Sequence, residues 1–249
     1  MAIAFEDLNI MAGTARAFEQ KELTETDRRI FNRDFDMLVA KLVKVDAELG
    51  ESLKDEKDFY LGVAQIAKGY FNEKPFGGLK SATGQFGMCL LYPQNLKDAA
   101  SGTQTNNHSW TRTLTTDSSD TDADIFGSSS APLYAESTAE EREVIAWHTL
   151  LSYKPDPRLI LIELNVNDYP YTPWSVEPFA KISKADKLFK LLPMPGRVIL
   201  HPGGKFYMRG WFDLMVNTAP SGTNSIDVEL ALFGLTFAEY AQLAVANIV

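Results

Sequence analysis

The chain has 249 residues, of which 45% are hydrophobic and 23% charged, and its formal net charge is −9. This length allows one large or two modest domains with a sizeable core, and the composition is that of an ordinary globular protein rather than a disordered or fibrous one. No run of Lys or Arg reaches three residues, so direct nucleic-acid binding is not expected. A basic patch that only folding assembles is the alternative left open.

The sequence also argues against membrane insertion, secretion and cysteine chemistry. No apolar run reaches the roughly twenty residues of a membrane span, and residues 1–13 lack the basic segment and apolar core of a signal peptide. We therefore expect synthesis in the cytoplasm. Cys89 is the single cysteine, which excludes an internal disulfide and a cysteine zinc site. Its apolar neighbours predict an inert, buried thiol.

The N-terminal part, residues 1–57, is predicted to be a helical segment. Thr24 or Thr26 can cap a helix, Gly50 can end it, and apolar residues between them recur at spacings of three and four. This periodicity predicts a long amphipathic helix of about seven turns. Its apolar side packs either on its own domain or on another subunit. The apolar positions are Phe31, Phe35, Leu38, Leu42, Val45 and Leu49.

Residues 58–249 are predicted to form a β-sandwich domain. Residues 58–92 contain six glycines, which argue against a long helix and favour strands with tight turns. Residues 94–139 are rich in Ser, Thr, Asn and Asp, which predicts a long polar surface loop. Residues 110–115 could add a short strand within it. The segments 143–153 and 158–168 then predict a β-hairpin. Residues 205–217 alternate strictly between apolar and polar side chains, the pattern of a half-buried strand.

No motif for a metal, a cofactor or catalysis is found. His108, His148 and His201 do not lie at ligand spacing, so neither a metal site nor a cofactor is expected. Asp120, Asp122 and Asp124 alternate as in an EF-hand, but position six is isoleucine and position twelve is alanine, which excludes that loop. A looser calcium site that joins loop carboxylates across an interface remains an alternative.

Enzyme chemistry is not expected, because GxSxG, phosphate-loop and GxGxxG motifs are absent. Two of the 33 acidic residues could still converge as a hydrolytic pair, although no local feature selects one. Tyr169, Tyr171 and Trp174 either stack on sugar rings or anchor a proline-rich loop. Asn107, His108 and Ser109 match a glycosylation sequon.

The last strand pattern carries more apolar surface than one sheet face needs. Beyond Leu232, the apolar side chains switch to the face that Asp227 and Glu229 occupy earlier. Either the C-terminal tail or another subunit must cover them. Together with the helix, this surface predicts self-association through Phe31, Phe35, Leu38, Leu42, Phe233, Leu235 and Phe237.

Residues 143–237 resemble the strands of capsid-type jelly rolls of bacterial and archaeal viruses. The similar segments are EVIAWHTLLSY, RLILIELNV, GRVILHPGGKFYMRGWFDLMV and SIDVELALFGLTF. The resemblance implies a mainly β, antiparallel, jelly-roll-like sandwich. It also implies a virion structural protein whose partners are copies of itself and other shell proteins. The acidic, helical N-terminus differs from the basic arm of genome-coating capsid proteins and favours an outer or decorating position. A cytoplasmic binding module for carbohydrate or protein, and a hydrolase with converging carboxylates, are the alternatives.

Overall fold

The computed structural model describes residues 10–11, 21–98, 111–116, 122–138, 142–154, 159–176, 189–212 and 224–239. Three α-helices and two β-sheets are present within these residues. The helices are α1 (Glu25–Val45), α2 (Ala47–Asp55) and α3 (Lys57–Tyr70). The strands are β1 (Ile10–Met11), β2 (Phe76–Gly78), β3 (Phe86–Leu90), β4 (Lys97–Asp98), β5 (Thr111–Thr116), β6 (Asp122–Phe126), β7 (Leu133–Tyr134), β8 (Glu143–Lys154), β9 (Leu159–Val166), β10 (Tyr169–Pro170), β11 (Trp174–Ser175), β12 (Lys190–Leu192), β13 (Arg197–Leu200), β14 (Lys205–Phe212) and β15 (Asn224–Glu239).

Sheet A is built around the two longest strands, β8 and β15. Its order is β1-β13-β8-β15-β3-β2, with β12 also paired to β8 and β5 also paired to β15. β3 and β5 pair with successive parts of β15, so together they occupy one position of the sheet. β12 and β13 share the next position beside β8 in the same way. All four of these pairings are antiparallel.

Sheet B is centred on β9 and β14. Its order is β10-β9-β14-β7-β4, with β11 also paired to β9 and β6 also paired to β14. β6 and β7 pair with successive parts of β14, and β10 and β11 share the position beside β9. The side chains of β14 are alternately buried and partly exposed from Lys205 to Phe212, which confirms the predicted half-buried strand. Residues 213–217 of that prediction lie outside the described part of the chain.

Two hydrophobic cores divide the molecule into three layers. The first core lies between the sheets, where the rings of Trp147 on sheet A and Phe206 on sheet B have centroids 5.0 Å apart. The second core lies between α1–α3 and the other face of sheet A. The predicted mainly β sandwich is therefore present, and sheet A is buried on both faces. Burial on both faces explains the continuous apolar run in β15.

The helix predicted to end at Gly50 is divided at Asp46. Thr24 begins α1 with a capping box, in which its side chain and that of Asp27 each accept a backbone N–H. The Asp46 carboxylate accepts the backbone N–H groups of Glu48 and Leu49, at 2.8 and 3.3 Å, and so starts α2. A Cβ atom at Gly50 would lie 2.2 Å from Val43. This glycine therefore allows α2 to approach α1 rather than ending a helix.

Residues 57–70 form α3, so the prediction of strands for this part of the chain is wrong. Phe59, Tyr60, Val63, Ile66 and Ala67 recur at helical spacing and are all buried in the second core. Their burial stabilises the helix by more than its glycines cost, about 1 kcal/mol each relative to alanine. The domain boundary between residues 57 and 58 remains a prediction.

Two further sequence predictions need correction. β8 and β9 do not form a hairpin, because β8 belongs to sheet A and β9 to sheet B. A sandwich places consecutive strands on opposite sheets when the connection crosses the core. The polar segment 94–139 is not only a surface loop, since it contains β4, β5, β6 and β7. Ile125 and Phe126 at the end of β6 reach the core between the sheets.

Candidate functional site

The residues predicted for self-association lie together in the second core. None is more than 9% exposed. The side chains from α1 and those from β15 belong to one buried cluster within a single chain, in which α3 lies directly on β8 and β15. Self-association through them stays a prediction, but the fold buries them without a partner. The seven residues are Phe31, Phe35, Leu38, Leu42, Phe233, Leu235 and Phe237.

A partly buried polar cluster joins the helices to β8. The Nδ1 atom of His148 lies 2.7 Å from the Tyr60 hydroxyl, and its Nε2 atom lies 3.0 Å from the Ser52 hydroxyl. Burial, with a contribution from Arg197, lowers the pKa of His148 to about 3. Serine beside histidine is the arrangement of nucleophilic catalysis. An imidazole with so low a pKa is a poor general base at neutral pH, so this cluster fastens α2 and α3 to sheet A.

A second cluster brings two carboxylates together beside the start of β8. Asn95 Nδ2 donates to Glu143 Oε1 at 3.1 Å, and the Glu143 backbone N–H donates to the Glu136 carbonyl at 3.0 Å. The Glu136 carboxylate accepts the backbone N–H groups of Ser137 and Thr138 and pairs with Lys97. This convergence links strands far apart in sequence, and no local pattern predicts it.

The two carboxyl groups have pKa values shifted in opposite directions. Burial raises the pKa of Glu143 to about 8, against the opposing effects of Asn95 and Lys97. Burial also acts to raise the pKa of Glu136, but the hydrogen bonds from Lys97, Thr138 and Ser137 outweigh it and the pKa is lowered. Opposed shifts are typical of an acid–base pair. However, Glu143 is 3% and Glu136 5% exposed, which leaves a substrate no access.

The remaining candidates from the sequence are dispersed. His201 stacks on Tyr70 at the end of α3, with ring centroids 6.5 Å apart. Burial raises the pKa of Cys89 to about 12, as expected for an inert thiol. His108, Asp120 and the sequon at 107–109 lie outside the described residues. Within the described residues, no group of three or more His, Cys, Asp or Glu side chains is arranged to hold a metal ion.

The outer face of sheet B carries a mixed aromatic and charged surface. Arg209 lies at its centre and pairs with Asp122 at 3.1 Å and Asp124 at 3.4 Å. Tyr207 and Trp211 are two residues away on either side along β14 and are partly exposed. We call this set, together with Lys205, Leu161 and Glu163 on the same side of the sheet, the outer face of sheet B. The alternation of apolar and polar residues in segment 205–217 indicates this surface in the sequence.

The predicted aromatic loop residues play a different part. Tyr171 and Trp174 pack against the core between the sheets, and Trp174 Nε1 donates to the Pro193 carbonyl at 3.1 Å. They therefore anchor the proline-rich loop, which is the second of the two interpretations that the sequence allows for these aromatic residues. Tyr169 is 61% exposed.

A basic surface lies on the side of α1 that faces away from sheet A. Arg29, Arg33, Lys41 and Lys44 are exposed and Arg28 is partly exposed; we call these five residues the basic face of α1. At its N-terminal end an open cleft of about 600 Å³ is lined by Glu25, Thr26, Arg28, Arg29 and Asn32.

None of the helices in the described residues combines the length and apolarity that a membrane crossing requires.

Comparison with known proteins yields only distant likenesses. A scan of protein-family models found no match, and a search of curated proteins found none either. One solved structure similar in part is that of infectious bursal disease virus, Gx strain, with 6% identity, 64% of this chain and 34% of that chain covered, and a TM-score of 0.26. Another is the Podospora anserina GH26-CBM35 β-(1,4)-mannanase, with 8% identity, 61% and 27% covered, and a TM-score of 0.22.

These likenesses extend over about a third or less of the matched chains. Scores this low carry no argument about the function of the present chain, which therefore depends on its own residues and topology.

Proposed function

We propose that the chain is a self-assembling structural protein that forms or decorates a virus-like shell. The supporting observation is the order of its strands. Three short strands, β1, β2 and β4, lie at the sheet edges; the other strands occupy eight positions, which along the chain are β3/β5, β6/β7, β8, β9, β10/β11, β12/β13, β14 and β15. From one edge to the other, neighbouring strands of sheet A occupy the first, eighth, third and sixth of these positions. Neighbouring strands of sheet B occupy the second, seventh, fourth and fifth. This is the order of an eight-stranded jelly roll, a fold of viral capsid and lectin domains.

The edges of the two sheets also suit assembly into a closed shell. The outermost described strands are short: β1, β4 and β10 have two residues each and β2 has three. Short edge strands discourage open-ended strand pairing between copies. Contacts between subunits would then be made by faces and corners, which allow a closed arrangement. The partners proposed are other copies of the chain and other shell proteins, and the location proposed is the virion.

Light scattering coupled to size exclusion, followed by electron microscopy, tests this proposal directly. We expect rings or particles many times heavier than the 27.7 kDa chain, with a fraction that grows with protein concentration. A monodisperse monomer at every concentration and salt condition would contradict the proposal.

The second candidate is a carbohydrate- or protein-binding module, and the outer face of sheet B is what favours it. Tyr207 and Trp211 offer two rigid aromatic rings on either side of the hydrogen-bonding Arg209, a composition suited to ligand contact. Titration of the Tyr207→Ala/Trp211→Ala variant with neutral oligosaccharides tests it, with Tyr169→Ala as an exposed aromatic control. Saturable binding that only the double variant loses, in a monomeric protein, would favour this candidate over the shell. We do not propose a hydrolase, since the converging Glu136 and Glu143 are buried.

A further inference from the structure

We infer that the basic face of α1 binds the phosphate backbone of a nucleic acid, without reading its sequence. This inference rests on the proposed shell function and assigns the helical layer to the side of the shell that faces a genome. It reverses the expectation drawn from the sequence, where no cation run occurs. Helical geometry gathers Arg29, Arg33 and Lys44 on one exposed surface, with the other two cations on its two flanks, although all five are dispersed along the chain.

The acidic residues of α1 neutralise this face only in part, because two of the four are paired with lysines of α3. Asp27 binds the buried Lys68 at 2.6 Å, and Asp36 binds Lys57, which belongs to α3, at 2.8 Å. Asp34 is buried and binds Arg33 at 2.6 Å, while the Arg33 side chain remains 70% exposed. Only Glu25 remains as an unpaired acid on the helix.

The other cations of the face make no ion pair with the described residues. These are Arg28, Arg29, Lys41 and Lys44. Like charges three or four residues apart are neighbours on a helix and repel each other, as Arg29 does with Arg33 and Lys41 with Lys44. Such repulsion costs stability in a chain whose net charge is −9. The negative charges of a bound polyanion would attract these cations and offset their mutual repulsion.

The dimensions of the face suit a nucleic-acid strand. Arg29 and Lys44 are fifteen residues apart, or about 22 Å at 1.5 Å per residue. One strand of a duplex places a phosphate about every 3.4 Å along the axis, so several phosphates lie within this length. Arginine and lysine side chains on a rigid helix can contact them without any groove-reading element.

A lipid surface fits the same charges less well. A helix that lies in a membrane interface buries its apolar side among the lipids. The apolar side of α1, with Phe31, Phe35 and Leu38, is already buried against sheet A. The exposed apolar residues on the helix are Met37, Val43 and Val45, too few to form an insertion surface.

Fluorescence anisotropy with a labelled mixed-sequence DNA duplex tests the inference on the full chain. We compare the wild type with Arg29→Gln/Lys44→Gln and with a control, Lys205→Gln/Arg209→Gln, which removes the same charge from the outer face of sheet B. The logarithm of the binding constant should fall linearly with the logarithm of salt concentration. Each phosphate contact adds about 0.9 to the slope, so the α1 variant should have a slope smaller by about 1.8 and the control the wild-type slope.

Three results would overturn the inference: no duplex binding by the wild type at about 50 mM salt, equal losses in both variants, or binding to anionic phospholipid vesicles but not to the duplex. Circular dichroism verifies that each variant is folded. Light scattering on the same samples separates this inference from the shell proposal. Particles that do not bind the duplex overturn the inference alone, whereas duplex binding by a strict monomer supports it and counts against the shell.

Discussion

Glu143 and Glu136 lie side by side at the beginning of β8, but their carboxyl groups contribute to folding with opposite pH dependence. The folded-state pKa of Glu143, about 8, lies above its ordinary value of 4.5. The folded protein therefore holds this proton while the unfolded chain releases it, and stability is lost as pH rises from about 4.5 through 8. The pKa of Glu136 is lowered, so its contribution is present above about 4.5 and is lost as pH falls below that value.

We predict that Glu143→Gln raises the free energy of unfolding at pH 8, because glutamine keeps the hydrogen-bond acceptor for Asn95 but cannot ionise. The gain over the wild type should grow with pH by at most about 1.4 kcal/mol per unit between pH 5 and 8. Urea unfolding at several pH values measures it.

Glu136→Gln provides the matched control for this substitution. It should destabilise the protein by about 1–3 kcal/mol at pH 7, since the poorly exposed Lys97 loses its carboxylate. A Glu143→Gln variant that is less stable than the wild type at pH 8 would contradict the account of the pair.

At the scale of elements, the buried carboxylate of Asp27 helps to hold α1 in place. Asp27 caps the helix through Thr24, accepts the Phe76 backbone N–H at 2.9 Å and binds Lys68 of α3 at 2.6 Å. It therefore joins α1, α3 and β2 at a single point. Removal of one partner from a buried ion pair leaves an uncompensated charge, which costs about 3–5 kcal/mol.

We predict that Asp27→Asn lowers the free energy of unfolding by several kcal/mol, whereas Asp36→Asn lowers it by less than about 1 kcal/mol. Asp36 also pairs with a lysine of α3, but its side chain is 66% exposed, and exposed pairs contribute little. Thermal and denaturant unfolding of both variants measure the difference. Equal effects would show that Asp27 does not anchor the helix.

The sequence located some of these elements correctly and others not. The start of α1 at Thr24 and the alternation of β14 were predictable, because capping and period-two burial depend on neighbours in sequence. The break at Asp46 and the existence of α3 were not. Asp46 interrupts a continuous apolar periodicity with a local cap, and α3 keeps its glycines because burial against sheet A outweighs their low propensity.

At the scale of the whole molecule, the helices and the sandwich share one hydrophobic core. Sheet A depends on the helical layer to cover its outer face, where Val144, Ile199, Phe233 and Phe237 are buried. Without α1 and α2, part of this apolar surface would be exposed to water at a cost of about 25 cal/mol per Å².

We predict that a fragment comprising residues 58–249, the sandwich domain expected from the sequence, aggregates or binds a hydrophobic dye, whereas the full chain does not. Size exclusion and dye fluorescence measure this, and addition of a separately produced 1–57 segment should reduce the dye signal. A soluble, cooperatively folding 58–249 fragment would show instead that the predicted domain boundary separates two independent parts.

The sequence by itself determined the mainly β fold class and the start of the longest helix. It also determined the half-buried strand β14 and the surplus of apolar side chains after Leu232. All of these follow from composition or from periodicity within a few residues. Only the tertiary structure decided what covers that surplus. The apolar side of α1 and the apolar run of β15 belong to one core, in which α3 lies directly on the sheet, although about 200 residues of chain separate α1 from β15. Contacts over such distances, like the one between Ser52 and His148, 96 positions apart, leave no local periodicity. The same holds for the basic face of α1, whose cations form a surface only when the helix has folded and Asp27 and Asp36 have paired with lysines of α3.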